Sequence, residues 1–75
     1  MYAYILVSLE ESSETEILSE FSDLPEVEEA HILFGEWDLI VKLKADNPDD
    51  VASFVIEKIR SHEEVSLTST LIVAR

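Results

Sequence analysis

The segment Tyr2–Leu9 places the strongest limit on how this chain can fold, because it carries no charge and is apolar on both sides of a strand. Successive side chains of a strand point to opposite faces of a sheet. One face of this strand would carry Ala3, Ile5, Val7 and Leu9, and the other would carry Tyr2, Tyr4 and Leu6. A sheet with one solvated face alternates apolar and polar residues instead. The first strand therefore predicts a sheet that is covered on both faces.

A first helix is predicted shortly after this strand. Ser13–Glu16 fits the capping box, in which a serine and a glutamate three residues later each bond a free backbone N–H at a helix start. The residues that follow recur at helical spacing and predict one apolar stripe, formed by Ile17, Leu18, Phe21 and Leu24. Pro25 cannot continue a helix, so we expect the helix to end there.

A second helix is predicted to begin at Asn47–Asp50. This segment supplies a capping side chain, a proline at the first helical position and two carboxylates where the helix dipole favours them. Its predicted apolar stripe consists of Val51, Ala52, Val55, Ile56 and Ile59. Lys58, Arg60 and His62 lie in or just beyond the last turn, where positive charge is favourable. These basic residues therefore also predict where the helix ends.

Three further segments predict strands. Residues 27–34 and 37–45 are rich in aliphatic residues and flank Gly35-Glu36, which is typical of a β-hairpin with a tight glycine turn. Residues 65–74 alternate again, and this closing strand would carry Leu67, Ser69, Leu71 and Val73 on one face and Ser66, Thr68, Thr70 and Ile72 on the other.

The resulting order, β-α-β-β-α-β with short connections, predicts an α+β fold of the ferredoxin-like kind. This fold has a four-stranded antiparallel sheet with two helices on one face, and residues 1–75 would form a single domain. The face without helices is also apolar, with further apolar candidates on both sides of the hairpin strands. We therefore expect a second copy to cover it, which gives a face-to-face homodimer of the dimeric α/β barrel type.

Size and charge narrow the function. A chain of 75 residues without cysteine has a small core and no disulfide or thiolate metal site to support it, so self-association is the remaining route. Seventeen acidic against five basic residues give a net charge of −12, which repels phosphate backbones and anionic membranes. We expect no direct binding of nucleic acid or membrane. The chain has no long apolar run and no basic start of a secretory signal, which predicts a cytoplasmic protein.

Several segments, taken in order, resemble one family. Phe34–Asp38 has the form glycine, acidic residue, aromatic residue, aspartate within a hairpin, and it resembles the effector loop of the Lrp/AsnC family, the leucine-responsive and asparagine-responsive regulators. The first strand Ala3–Val7, the turn Leu24–Val27 and the closing strand Ser66–Val73 are similar to the amino-acid regulatory domain of the same family. The resemblance covers nearly the whole chain.

The resemblance implies a regulatory module and a location for its ligand. The family joins this domain to an amino-terminal helix-turn-helix, whereas this chain starts at the first strand, so we expect a stand-alone form that builds dimers and larger rings and co-assembles with full-length Lrp/AsnC regulators. Family effectors, amino acids, bind between dimers near the loop. The residues expected to bind one are Gly35, Glu36, Trp37, Asp38, Thr68 and Thr70.

The chemistry of these side chains suits a zwitterion. Asp38 or Glu36 could accept from an ammonium, while loop amides and threonine hydroxyls could donate to a carboxylate. The aromatic position is often tyrosine in the family, so Trp37 would reshape or narrow the pocket. The simpler alternative is that Gly35 permits a positive φ in a two-residue turn, Trp37 anchors the sheet and the threonines favour a strand. The domain would then be a purely structural assembly module.

Other candidate sites are weaker. We interpret His31 as a structural or pH-sensitive interface residue and His62 as a surface residue at a helix end. Asp46, Asp49 and Asp50 flank a helix start and are explained by capping, so we expect no required metal and no cofactor. The sequence contains no recognisable catalytic triad or nucleotide loop, and we expect no enzyme activity. A small dimeric monooxygenase of similar fold remains the third hypothesis.

Overall fold

The first strand, β1 (Tyr2–Leu9), lies in the interior of a four-stranded antiparallel sheet. This description rests on a computed structural model, which describes residues 1–11 and 13–75. The other strands are β2 (Val27–Ile32), β3 (Leu39–Lys44) and β4 (Val65–Ile72). The strand order is β2-β3-β1-β4, so β1 pairs with β3 on one side and with β4 on the other. The predicted element order and ferredoxin-like topology are confirmed.

Two helical segments cover one face of this sheet. Helix α1 spans Glu14–Ser22, and helix α2 (Pro48–Phe54) continues directly into a π-helical segment, Val55–Ile59. The wider turn is marked by the Arg60 amide, which donates to the Val55 carbonyl oxygen over 2.7 Å. In the described ranges, neither helix is long and apolar enough to cross a bilayer.

A continuous apolar core lies between the helices and the sheet. Its sheet residues are Ala3, Ile5, Val7, Leu39, Val41 and Leu43, and its helix residues are Ile17, Phe21, Val51, Phe54, Val55 and Ile59. All twelve are buried. The predicted inward set of β1 is thus confirmed at Ala3, Ile5 and Val7, and Leu9 packs at the margin of the core.

The opposite face of the sheet, which we call the open face, has no covering layer in the described chain. Tyr4 lies opposite Leu71 across the β1–β4 pair, and Leu6 lies opposite Ile40 across the β1–β3 pair. Leu67 and Leu71 of β4 are 65% and 51% exposed. The chain itself therefore covers only one of the two apolar faces of β1, and the covering of the open face by a second copy stays a prediction.

The two helix starts differ in how they are capped. At Asn47 the side-chain Oδ1 accepts a hydrogen bond from the Asp50 amide over 2.9 Å, which confirms the predicted cap. Helix α1 does begin at Glu14, as predicted, but the Ser13 side chain makes no capping bond to the described part of that helix. Ser13 has φ −116° and ψ 33°, outside the extended backbone that a capping residue normally adopts. The capping-box prediction is wrong in this respect.

Helix α1 ends earlier than predicted. Its last residue is Ser22, and Pro25 lies instead in a turn closed by the Val27 amide, which donates to the Leu24 carbonyl oxygen over 3.0 Å. Proline favours this position because its fixed φ suits the second residue of a β-turn. Leu18 and Leu24 of the predicted stripe are only half-buried.

The predicted apolar stripe of the second helix is partly wrong. Ala52 is exposed and Ile56 is 60% exposed, whereas Phe54 is buried. Val51, Val55 and Ile59 can form an apolar stripe at helical spacing either with Ala52 and Ile56 or with Phe54. Burying Phe54 removes more apolar surface from water than burying Ala52. The helix therefore turns its Phe54 side inward and leaves Ile56 beside β4.

The different caps lead to a stability prediction. We expect Asn47→Ala to lower the free energy of unfolding by about 1 kcal/mol, because it removes the side-chain acceptor of the Asp50 amide. Ser13→Ala is the matched control and should change it by less than about 0.5 kcal/mol. Urea denaturation at one fixed protein concentration measures both. Equal losses in the two variants would contradict the assignment of the caps.

Candidate ligand-binding site

The connection between β2 and β3, residues 33–38, carries most of the predicted ligand-binding residues. It is closed by the Leu33 amide, which donates to the Asp38 carbonyl oxygen over 2.8 Å. The predicted two-residue turn is therefore wrong, because the strands separate at Ile32 and Leu39 and leave a six-residue loop. The predicted hairpin itself is confirmed, since β2 and β3 pair in antiparallel register.

Gly35 has the backbone conformation expected of a glycine at a loop tip. Its φ is +135°, a region that residues with a side chain rarely adopt. A Cβ added there would meet no heavy atom within 4 Å in the described chain, so the constraint is conformational and not steric. The simpler explanation of this glycine, that it permits a positive φ, is sufficient for the geometry seen.

Asp38 is fixed to the end of β1 by two hydrogen bonds. Its amide donates to the Val7 carbonyl oxygen over 2.9 Å, and its carboxylate Oδ2 accepts from the Leu9 amide over 2.7 Å. The Leu9 amide points to the β3 side of β1, as the Val7 carbonyl does, but the ladder with β3 ends at the pair of Val7 with Leu39 and leaves this N–H without a strand partner. The carboxylate supplies the missing acceptor, and a bond to an ionised group is stronger than a neutral one.

This structural role of Asp38 was not predicted. The bond joins residues 29 positions apart, and no local pattern in the sequence signals it. The consequence for a ligand is specific, since one carboxylate oxygen is already engaged and Oδ1 is the one left to accept from an ammonium group.

The rest of the loop is exposed to different degrees. Glu36 is exposed and Trp37 is half-buried. Phe34, which the sequence placed in a strand, is fully exposed, with a relative accessibility of 107%. Strand-like composition explains the wrong assignment, because an aromatic residue next to Ile32 and Leu33 has no local signal that separates a strand end from a loop.

The two threonines lie on β4, on the helix-covered side of the sheet. Thr68 pairs with Val7 and Thr70 pairs with Ile5, and both of those β1 residues face the core. The threonines line a groove between β4 and the second helical segment, with a volume of about 340 Å³. Its lining residues are Pro48, Val51, Ala52, Val55, Ile56, Arg60, Thr68, Thr70 and Ile72.

Within one chain the two groups of predicted residues do not share a cavity. Asp38 bonds to Val7 from the β3 side and Thr68 pairs with Val7 from the β4 side, so their backbones lie about two strand spacings, ~10 Å, apart. Among the described residues that line the β4 groove, none belongs to the loop. The ligand-binding role of all six residues stays a prediction.

A second cleft, of about 560 Å³, lies at the opposite end of β2 and β3. Val27, Leu43 and Phe54 contribute its apolar part, and its charged residues are Glu26, Glu28, Lys44, Asp46, Asp50, Glu57 and Lys58. Within the described ranges no three His, Cys, Asp or Glu residues are grouped to hold a metal ion. Sequence reasoning missed this cleft because it joins three elements that are distant along the chain.

The histidines have different surroundings. The His62 Nε2 atom lies 2.9 Å from Glu20 Oε2, and Nδ1 accepts from the Glu64 amide over 3.1 Å, which assigns the proton to Nε2. Its ring also meets Phe21 edge-on, with 6.0 Å between centroids. His62 lies partly exposed just beyond the second helical segment, as interpreted from the sequence, and in addition it ties the segment before β4 to α1. His31 lies on β2, with its side chain 61% exposed.

The comparisons with known proteins agree with this geometry. The sequence model of the Lrp/AsnC ligand binding domain matches residues 2–75. The chain belongs to the Lrp/AsnC ligand-binding domain family. The HTH-type transcriptional regulator PF0250 of Pyrococcus furiosus is 34% identical over 73 residues, which cover 93% of this chain and 49% of that protein. The chain therefore spans about half the length of the curated relatives it matches.

Solved structures extend the comparison to the fold. PHS023 from Pyrococcus horikoshii is 40% identical, with a TM-score of 0.89 over 96% of this chain and 87% of its own. The regulator NMB0573 of Neisseria meningitidis, solved in complex with L-Met, is 24% identical, with a TM-score of 0.86 over 99% of this chain and 49% of its own. The Lrp/AsnC resemblance seen in the sequence is thus confirmed, and the second of these likenesses shows the fold alone.

The anchoring of Asp38 leads to a second stability prediction. We expect Asp38→Ala to lower the free energy of unfolding by about 1–3 kcal/mol, because it leaves the half-buried Leu9 amide without its acceptor. Asp38→Asn keeps an oxygen acceptor and should lose less. Glu36→Gln, in the same loop but exposed, should stay within about 0.5 kcal/mol of the wild type.

These changes are measured by urea denaturation at fixed protein concentration. If Asp38→Ala and Glu36→Gln unfold at the same urea concentration as the wild type, the carboxylate of Asp38 does not support the end of β1.

Proposed function

We propose that this Lrp/AsnC ligand-binding domain forms a homodimer through its open sheet face and binds a small effector, an amino acid, between dimers. Its output is a change of assembly, through which it modulates full-length Lrp/AsnC regulators. The observation that carries the proposal is the uncovered apolar face of the sheet, in a domain that belongs to a ligand-binding family.

The composition of the open face supports a dimer. Its centre is formed by Tyr4 and Leu6 of β1 with Leu67 and Leu71 of β4. Its margin at β2 is polar, because Glu29 and His31 pair with Lys42 and Ile40. An apolar centre with a polar rim is the usual arrangement of a protein interface.

The chemistry of an effector follows from the groups that the loop and β4 offer. Asp38 Oδ1 and the exposed Glu36 carboxylate suit an ammonium group, while the Thr68 and Thr70 hydroxyls suit a carboxylate. An α-amino acid carries both groups. The fold shared with the regulator solved in complex with L-Met makes amino acids the first ligands to test.

The link from ligand to output is thermodynamic. An effector shifts assembly only if it binds one assembly state more tightly than the other, and a site formed between dimers meets that condition. Full-length regulators of the same domain family would present a similar surface, which supports co-assembly with this chain.

One observation favours a second candidate function, an assembly module without a ligand. The Asp38 carboxylate already accepts a hydrogen bond from the Leu9 amide, and Trp37 is half-buried. Both loop residues therefore have a structural role that requires no effector. In that case assembly would be indifferent to amino acids.

The dimer is tested by two neighbouring residues on opposite faces of β4. Leu71→Asp puts a charge on the open face and should convert dimers to monomers, whereas Ile72→Asp puts the same charge on the helix side and should leave the dimer intact. The two side chains are similarly exposed, 51% and 44%. Sedimentation velocity at micromolar concentration, with circular dichroism as a folding check, measures the outcome. A monomeric wild type would refute the dimer.

Effector binding is tested by a thermal-shift screen against the twenty amino acids at low and high salt. A ligand at 100 times its dissociation constant adds about 2.7 kcal/mol to the stability of the folded state, which is a measurable rise in Tm. Glu36→Gln and Thr68→Val should reduce that rise, and both avoid the structural bond of Asp38. The absence of any shift at millimolar concentration would favour the assembly module.

A further inference from the structure

The two ends of the β4 groove differ in chemistry. Arg60 and Thr68 also line a second depression, of about 280 Å³, so both lie where the two depressions meet. The second helical segment connects the parallel strands β3 and β4, and therefore runs in the direction opposite to β4. Pro48, at its start, and Ile72, at the end of β4, thus mark the far end of the groove. One end is polar and charged, and the other is apolar.

The polar groups at the charged end have no partner in the parts of the chain that the structure describes. The Arg60 guanidinium makes no ion pair there, and the hydroxyls of Thr68 and Thr70 make no hydrogen bond. Arg60 is also the one charged residue among the described lining residues. A guanidinium binds a carboxylate through two parallel hydrogen bonds, so this end suits a carboxylate.

The rest of the groove suits an aliphatic chain. Its floor includes the buried residues Val51 and Val55, and its walls carry Ile56 and Ile72, which are 60% and 44% exposed. The volume of about 340 Å³ is that of a small-molecule site at the lower end of the usual range. A short aliphatic tail in the groove would remove these exposed side chains from water.

The groove has no carboxylate to pair with an ammonium group. No acidic residue is among its described lining residues, and Asp38 is held on the β3 side of β1. The α-ammonium of an amino acid bound to Arg60 would therefore lie close to a second positive charge without a counter-ion. A keto oxygen at the same position would accept a hydrogen bond from a threonine hydroxyl instead.

We propose that the β4 groove of a single chain binds an aliphatic α-keto acid. Arg60 pairs with its carboxylate, Thr68 and Thr70 donate to its oxygens, and its tail lies toward Ile72. The proposal rests on the proposed function for the role of the two threonines and deepens it, because it names the counter-ion and the class of ligand. It requires neither the dimer nor a contact between dimers, since every group that it uses belongs to one groove.

The first test compares two ligands of one carbon skeleton, L-leucine and its α-keto analogue. The probe is the chemical shift of backbone amides in Leu71→Asp, which is expected to be monomeric. We expect the keto acid to shift the Thr68 and Thr70 amides with a millimolar dissociation constant, and L-leucine to bind about fivefold or more weakly. No shift of these amides with the keto acid, or equal affinity for the two ligands, would overturn the proposal.

The second test removes the counter-ion. Arg60→Gln should weaken binding of the keto acid by about fivefold or more, and Arg60→Lys should restore part of the loss. Lys58→Gln is the matched control, because it removes the same charge two residues away and does not line the groove. Circular dichroism checks that each variant is folded. Equal losses in Arg60→Gln and Lys58→Gln would show that the overall charge decides binding, and would overturn the pairing with Arg60.

The two proposals fail in different ways. A monomeric wild type would refute the dimer of the proposed function, and the titrations would then be made on the wild type itself. Binding of an amino acid that requires the assembled protein and is lost in Leu71→Asp supports the proposed function alone. Binding of the keto acid that is retained in Leu71→Asp and lost in Arg60→Gln supports the groove of the single chain.

Discussion

The burial of β1 on one face by the chain's own helices is the constraint on which the rest of the structure depends. Ala3, Ile5 and Val7 are fully buried in the core under the two helical segments. Those helices lie on one face and cannot reach Tyr4 and Leu6, which point the other way. A domain of this size buries only about 60% of its unfolded surface, so it has no spare layer to close the second face. The fold and the proposal that a partner covers the open face therefore have the same origin.

The candidate loop is connected to that strand directly. The Asp38 carboxylate takes the place of a ladder partner for Leu9, so the loop and the end of β1 form one hydrogen-bonded unit. A ligand that drew the carboxylate toward itself would compete with the Leu9 amide. Because the apolar residues of the open face lie on the same strand, a ligand at the loop and packing at the sheet face can influence each other over a short distance, without a long chain of intermediates.

Local signals in the sequence predicted the order of the strands and helices. The features that the sequence could not predict depend on contacts between residues that are distant along the chain. The Asn47 cap lies within one turn of its partner, so it was readable. Helical spacing could not choose between burying Phe54 and burying Ile56, because that depends on which side of the helix meets the sheet. The bonds of Asp38 to Leu9 and of His62 to Glu20 join residues 29 and 42 positions apart, and no local pattern signals them.

The strong negative charge makes the placement of the few basic residues informative. Two copies that each carry a net charge of −12 repel one another, most strongly at low ionic strength. Of the five basic residues, Lys42 and Lys44 lie on the open face, where Lys42 lies 4.7 Å from the centre of the Tyr2 ring. These two lie on the face proposed to meet another chain, where they reduce the repulsion that the rest of the acidic surface imposes.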